Sequence, residues 1–346
     1  MQRKFKIQNR IIGENYPPVV IAEIGINHNG SLDRAIYLSE MAIKAGAEII
    51  KHQTHIAEDE MSVEAKKIKP GNSNLNIFSI IENSQLSEKN EIKLAKFVKQ
   101  KKKIFISSPF SKKAVDRLEK IGVPAYKIGS GECNNYPLVE YICKKKKPVI
   151  LSTGMNDIKS ISKSVKLLRK YKNPYALLHC TNIYPTPNKL VRLECLNDLK
   201  KNFPDAVIGF SDHTETIYSC LGAVTLGARI LEKHFVDTKK RKGPDVSCSM
   251  DKSELKQLIN GSKLIFSSLK GKKKALKEES KTIKFAFASV VATRDIQKGE
   301  KLSKNNIFTK RPGNGYFGIG DYNKLLGRIA LNNLKKNHQI KKKDVS

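Results

Sequence analysis

The sequence predicts a (β/α)8 barrel followed by a small C-terminal β-rich domain, and three observations predict it. Eight short apolar runs recur along the chain, helical stretches alternate with them, and each run ends in polar residues. In order, the runs are Val19–Gly25, Ala47–Gln53, Lys103–Pro109, Ala125–Glu132, Pro148–Gly154, Tyr175–Asn182, Ala206–His213 and Ala228–Phe235. A buried parallel strand reads as a short, β-branched, nearly continuous apolar run. The endings are Glu23, then Lys51 and Gln53, Ser108, Lys127 and Ser130, Ser152, Asn182, Ser211 and His213, and finally His234. Such endings in series place these side chains on one rim, where the C-terminal strand ends of a barrel converge.

Helices fill the intervals. The first opens at Ser31, keeps apolar residues at Ala35, Leu38, Met41 and Ala42, and stops at Gly46. Similar periods run over 91–101, 112–121, 158–171, 214–227 and 252–269. The long connection from Thr54 to Leu86 contains Pro70-Gly71-Asn72 and is expected to be a lid or binding loop. Residues 1–269 therefore form the barrel, and the charged stretch 270–284 is expected as a linker. Residues 285–346 form the second domain, in which 291–300 and 329–338 resemble each other. Between those two segments lies the basic, glycine-rich Lys310-Arg311-Pro312-Gly313-Asn314-Gly315.

Composition narrows the function. The net charge of +32 suggests nucleic acid, but the excess is lysine scattered along the chain and no basic helix or aromatic-interleaved strand accompanies it. The reading is a solvated surface that attracts small anions, with no nucleic-acid partner. Lys239-Lys240-Arg241-Lys242, after the eighth run, is expected on the rim where an anion enters. No apolar run approaches the roughly 20 residues of a membrane span, and no secretory signal is expected at the basic start. The six cysteines show no CxxC pair and read as reduced thiols, so a cytoplasmic protein is expected.

Chemistry concentrates at the run endings. Ser211-Asp212-His213-Thr214 and Glu232-Lys233-His234 put histidines on adjacent strands, where they can share a metal. Lys51 and Lys127, with Ser108, Ser130, Ser152, Asn182 and Ser211, make a set of cations and donors suited to phosphate or carboxylate. Glu23 and Glu132 are candidate carboxylates for proton transfer or sugar hydroxyls, and Asp245 is placed to meet a polyol. His179 reads as structural, and His28, His52 and His55 have no assigned task.

With these residues in place the chain resembles the bacterial N-acetylneuraminate (sialic acid) synthases. The resemblance runs through EIGINHNGS, KHQTHIAEDEMS, FISSPFS, YKIGSGECNNYPL, LSTGMN, LLHCTNIYPTP, GFSDHT, LEKHF, GPDVSCSM and KRPGNG. It implies a barrel with a C-terminal antifreeze-like (SAF) domain, and a homodimer in which that domain caps the partner's barrel. The implied reaction condenses phosphoenolpyruvate with N-acetylmannosamine and releases phosphate. It uses a divalent metal, manganese first, with magnesium or cobalt as alternatives. By resemblance His213 and His234 are the metal ligands, and Lys51, Ser108, Lys127, Ser130, Ser152, Asn182 and Ser211 hold phosphoenolpyruvate. Gln53, Asn72, Tyr184, Asp245 and Arg311 surround the sugar, joined by Glu132 on its own chemistry, and Glu23 is the catalytic carboxylate beside the aldehyde. Relatives often carry Thr where this chain has Ser108. Legionaminic or pseudaminic acid synthases, which use di-N-acetylated deoxy sugars, are the neighbouring alternative.

Overall fold

The computed structural model describes residues 3–70 and 74–346. The chain divides into two compact units, Met1–Lys270 and Gly271–Ser346.

The first unit opens with a hairpin that the sequence reading missed, β1 (Lys4–Ile7) with β2 (Arg10–Gly13). Eight parallel strands then close into a barrel: β3 (Val19–Glu23), β4 (Ile49–Thr54), β5 (Ile104–Pro109), β6 (Tyr126–Ile128), β7 (Val149–Ser152), β8 (Tyr175–Cys180), β9 (Val207–Asp212) and β10 (Ile230–His234). The seam is the pairing of β10 with β3, in which His234 lies opposite Glu23. Around the barrel run α1 (Leu32–Ala45), α2 (Ala57–Glu60), α3 (Ile77–Ser84), α4 (Glu88–Gln100), α5 (Lys112–Ile121) and α6 (Tyr136–Cys143). They are followed by α7 (Ile158–Lys170), α8 (Cys195–Asn202), α9 (Tyr218–Thr225) and α10 (Lys252–Ser268). Local chemistry sets their ends. Ser31, Ser87, Ser111, Asp157 and Asp251 accept first-turn amides, and Gly46 stops α1 at a φ of 107°.

The period of two along each strand sorts side chains into two cores. Val19, Ile21, Ile49, Ile104, Ile106, Ile150, Ala176, Leu178, Val207 and Ile230 point inward and form an apolar plug, joined from below by Phe5, Ile7 and Ile12 of the hairpin. The alternate residues, among them Ile50, Phe105, Leu151, Leu177 and Ile208, point outward against the helices. The next inward position up each strand is polar or charged, which sets a reactive layer on a hydrocarbon floor. The expected lid, Thr54 to Leu86, contains the short α2, a turn at Val63–Lys67 and α3.

The second unit begins with residues 271–276, which carry no helix or strand. Within the stretch expected as a linker, a turn at Lys277–Glu279 leads into helix α11 (Ser280–Ala286). Then β11 (Ser289–Ala292) pairs antiparallel with β12 (Ile307–Lys310), and a short helix, α12 (Tyr322–Leu325), follows. Ile296 and Leu334, equivalent positions of the two similar segments, exchange backbone hydrogen bonds of 2.8 Å in each direction. Val290, Ala292, Leu302, Ile307, Leu325, Ala330, Ile340 and Val345 close a core of their own around them. Among the described residues no helix is long and apolar enough to cross a membrane. All six cysteines are free.

Candidate active site

A cavity of about 340 Å³ opens at the C-terminal strand ends. Its floor is built from the inward positions directly above the plug: Lys51 over Ile49, Ser108 over Ile106, Lys127 over Ala125, Ser152 over Ile150, Cys180 over Leu178, and Glu232 over Ile230. Lys127 Nζ donates to Ser152 Oγ at 2.7 Å and to the Ile128 carbonyl at 2.9 Å. Glu232, which the sequence reading left unassigned, sits between the cations. Its Oε1 lies 3.6 Å from Lys127 Nζ and 4.0 Å from Lys51 Nζ, and accepts from Ser211 Oγ at 3.1 Å. The signal for Glu232 was the same period of two, since it occupies the inward position on its strand just below His234.

Glu23 lies behind the cavity rather than in its lining, 1% exposed and ion-paired with Lys51. Burial drives the Lys51 ammonium down to about 8, against the pull of Glu232 and with the push of Lys127. Glu232 goes the other way: burial opposes its charge, but Lys127 and Lys51 outweigh that and hold it below the ordinary carboxylate range. Glu23 and Glu232 offset the charges of Lys51 and Lys127, so the two ammonium groups are held buried between carboxylates with donor capacity left for an anionic ligand.

Serine and amide donors line the next wall. Ser130 Oγ accepts from the Gly154 amide at 3.0 Å, and Asn182 Nδ2 reaches Tyr184 Oη at 3.4 Å. Asn182 Oδ1 is buried without a hydrogen-bond partner among the described residues. Gly154 is glycine for contact reasons: a Cβ there would stand 1.9 Å from Asn182 Oδ1 and 2.9 Å from Ser130 Oγ.

His213 and His234 face each other with ring centroids 5.4 Å apart, and the Tyr184 ring lies 4.1 Å from that of His213. His213 Nδ1 is engaged by the Thr181 carbonyl at 3.0 Å, which turns its Nε2 lone pair outward. Burial, then the charges of His213, Lys51, Lys233 and Lys127, hold His234 well below the usual histidine range, so its imidazole is neutral. Asp245 Oδ2 lies 3.4 Å from His234 Nδ1. The neutral His234 offers a free lone pair to a divalent cation, whereas at His213 burial is outweighed by Cys180, the Thr181 carbonyl and Asp245, which raise its pKa, so a cation there would displace a proton. Among the described residues no group of three or more His, Cys, Asp or Glu side chains is arranged to hold one. A cation held here would have His213 and His234 as its protein ligands and leave the rest of its shell to solvent and substrate. Behind the histidines, Lys233 and Asp212 point outward and pair at 2.8 Å, both almost fully buried, pinning the ends of β9 and β10.

Of the other expected residues, Gln53 lines the cavity, and its Oε1 lies 2.9 Å from Nε2 of His55. His55 is stacked on Phe110 and bonded to Glu60 at 2.9 Å. Glu132 is not in the lining; its carboxylate accepts from Asn135 at 2.6 Å. Asn72 lies outside the described residues. Arg311 belongs to the second unit, exposed just after β12. The basic run after β10 is half spent on acids: Arg241 pairs with Asp237 at 2.5 Å and Lys239 with Glu254 at 2.6 Å. Isoleucines and a phenylalanine, Ile26, Ile77, Ile81 and Phe110, supply an apolar wall that the sequence reading did not foresee.

The sequence matches the NeuB family over residues 38–274 and the SAF domain over residues 287–346. It is 38% identical over 331 residues to the N,N'-diacetyllegionaminic acid synthase of Campylobacter jejuni, covering 93% of this chain and 98% of that protein. With the N-acetylneuraminate-9-phosphate synthase of Homo sapiens the identity is 30% over 306 residues, 87% of this chain and 85% of that one. The crystal structure of N-acetylneuraminic acid (sialic acid) synthetase from Leptospira borgpetersenii matches with a TM-score of 0.75 at 30% identity, covering 82% of this chain and 96% of the other. The chain thus belongs to the NeuB family, with a SAF domain following its barrel.

Proposed function

We propose that the protein condenses phosphoenolpyruvate with a 2-acetamido aldose of the N-acetylmannosamine type, releasing phosphate and forming a nonulosonic acid. The observation that carries this is the pair of buried ammonium groups, Lys51 and Lys127, ringed by hydroxyl donors beside two imidazoles in a single cavity. Phosphoenolpyruvate brings a phosphate and a carboxylate, acceptors for the ammonium and hydroxyl donors of this floor. In this reading Ser108, Ser130, Ser152, Asn182 and Ser211 orient its oxygens, and the enol carbon attacks the sugar aldehyde. Water adds at the neighbouring carbon, and the tetrahedral intermediate loses phosphate by C–O cleavage.

His213 and His234 would hold a divalent ion, manganese first, with magnesium or cobalt as alternatives. Such an ion supplies Lewis acidity toward the aldehyde oxygen. By resemblance Glu23 manages the proton of the aldehyde oxygen, and because it stands behind the lining it does so through its ion pair with Lys51. Gln53, Tyr184 and Asp245 contact the sugar, with Asn72 joining that set by resemblance, while Glu132, outside the lining, does not. Arg311, delivered by the small domain of a second subunit in a swapped homodimer, covers the N-acetyl end and excludes water.

Two acceptors fit this reading. N-acetylmannosamine matches the resemblance through Asn182–Pro187. A 2,4-diacetamido-6-deoxy hexose is favoured by the apolar wall of Ile26, Ile77, Ile81 and Phe110, where methyl groups lose nothing and hydroxyls would stay unpaired. The 38% identity to a diacetyllegionaminic acid synthase points the same way. The test is phosphate release from phosphoenolpyruvate with each acceptor, with and without EDTA and manganese. The reading requires turnover that EDTA abolishes and manganese restores. Phosphate release with neither acceptor, or release indifferent to EDTA, refutes it.

A further inference from the structure

Asn27 stands in the loop after β3, four residues past Glu23, and is 4% exposed. Its side-chain amide makes two long-range bonds, each of 2.9 Å: Nδ2 donates to the Phe235 carbonyl and to Ser249 Oγ. Both protons of the NH2 group are thereby used. Its Oδ1 is buried and has no partner among the described residues, so the donor end alone accounts for the amide here. Ser249, wholly buried, passes the connection on, donating through Oγ to the Asp245 carbonyl at 2.7 Å.

These bonds cross the barrel seam. Asn27 follows the first barrel strand, whereas Phe235 and Ser249 flank the loop that follows the last one. That loop, residues 236–249, contains no helix or strand and is tied at its base by Val236 and Met250. Asp245 stands on it and reaches into the cavity beside His234. A carboxylate on an irregular loop needs external support to hold one position. The chain from Asn27 through Ser249 to the Asp245 backbone supplies it.

We propose that Asn27 is a positioning residue: acting through Ser249, it holds the loop after β10 so that Asp245 meets the acceptor sugar. The proposal rests on the reading that Asp245 contacts that sugar. Asn27 itself does not line the cavity and touches no reacting atom.

The test compares Asn27→Ala, Ser249→Ala and the double variant in the full chain, by kinetics and by hydrogen–deuterium exchange. Loss of one such buried hydrogen bond should raise acceptor KM about fivefold to tenfold while phosphoenolpyruvate KM stays within about twofold. Because the two residues form one chain, the double variant should be no worse than the poorer single one. Amides of residues 243–250 should exchange about tenfold faster in each variant, with α1 and α4 unchanged. Ser249→Ala keeps the test open if Asn27→Ala folds poorly. Unchanged exchange in 243–250 overturns the proposal, as does a uniform loss in both KM values accompanied by a general fall in melting temperature. If the wild-type protein turns over neither acceptor, the functional reading fails while the exchange measurement still decides whether the latch exists.

Discussion

The most searching prediction is Gly154→Ala. The backbone of Gly154 lies outside the left-handed region, so alanine meets no conformational penalty there. Its methyl does meet Asn182 Oδ1 at 1.9 Å and Ser130 Oγ at 2.9 Å. Ser130 is buried and Asn182 half-buried with its Oδ1 enclosed, so at least the Asn182 amide must rotate away. Overpacking of this kind costs about 1–3 kcal/mol of stability. The larger effect falls on binding: losing one hydrogen bond to a charged ligand costs about 1.5–3 kcal/mol, which raises KM roughly 10- to 150-fold. The assay is phosphate release at varied phosphoenolpyruvate with saturating acceptor, alongside a melt. Gly320→Ala, whose methyl meets nothing within 4 Å, serves as the control. If Gly154→Ala lowers the melting temperature but leaves phosphoenolpyruvate KM within about threefold of wild type, Ser130 and Asn182 do not bind that substrate.

Three further predictions follow from the electrostatics and the floor. Lys51 titrates near 8, so its grip on an anion is lost as pH rises through that value, and kcat/KM for phosphoenolpyruvate should fall above pH of about 8. Lys51→Arg, which stays charged, should remove that limb; an unshifted profile would refute the assignment. Because the folded state binds this proton less tightly than the unfolded one, Lys51 also predicts stability rising between about pH 8 and 10.5. Glu91, fully buried, resists the upward push of burial through His52, Thr54 and Arg117, and its carboxyl is held below the usual range. The stability it contributes is present above the unfolded-state value and lost as pH falls through the folded one. Glu91→Ala should therefore cost about 3–5 kcal/mol at neutral pH and less in acid, read by denaturant melts. Ile7→Ala should cost about 2–5 kcal/mol by melting while leaving both KM values unchanged, because it thins the plug and not the layer above it.

Much of the barrel could be read from the sequence because its strands are buried on both faces, so each announces itself as an apolar run. The eight-residue helices α6 and α8 escaped, although α9, equally short, was found within 214–227. The hairpin escaped because four-residue strands with charged outward positions look like a basic terminus. At the site, attention to run endings found Lys51, Lys127 and both histidines, but not Glu232. That residue became visible only when each strand was split into inward and outward positions. The same split separates Lys233 and Asp212, which face away, from their catalytic-looking neighbours. His28 and His52, unassigned in the sequence, touch at 3.2 Å outside the cavity, where His52 also bonds Glu91. Contacts between distant loops, such as Asn27 with Ser249, leave no periodic trace and could not be read in advance.

The hairpin beneath the plug has a kinetic consequence. A barrel stoppered at one end has a single doorway, so ligands must queue. On the proposed function, with the cations on the floor, the anion would enter first and the sugar second. A sugar already seated would block the way to the lysines. Inhibition by excess acceptor at low phosphoenolpyruvate is the trace that such a cul-de-sac leaves in steady-state data.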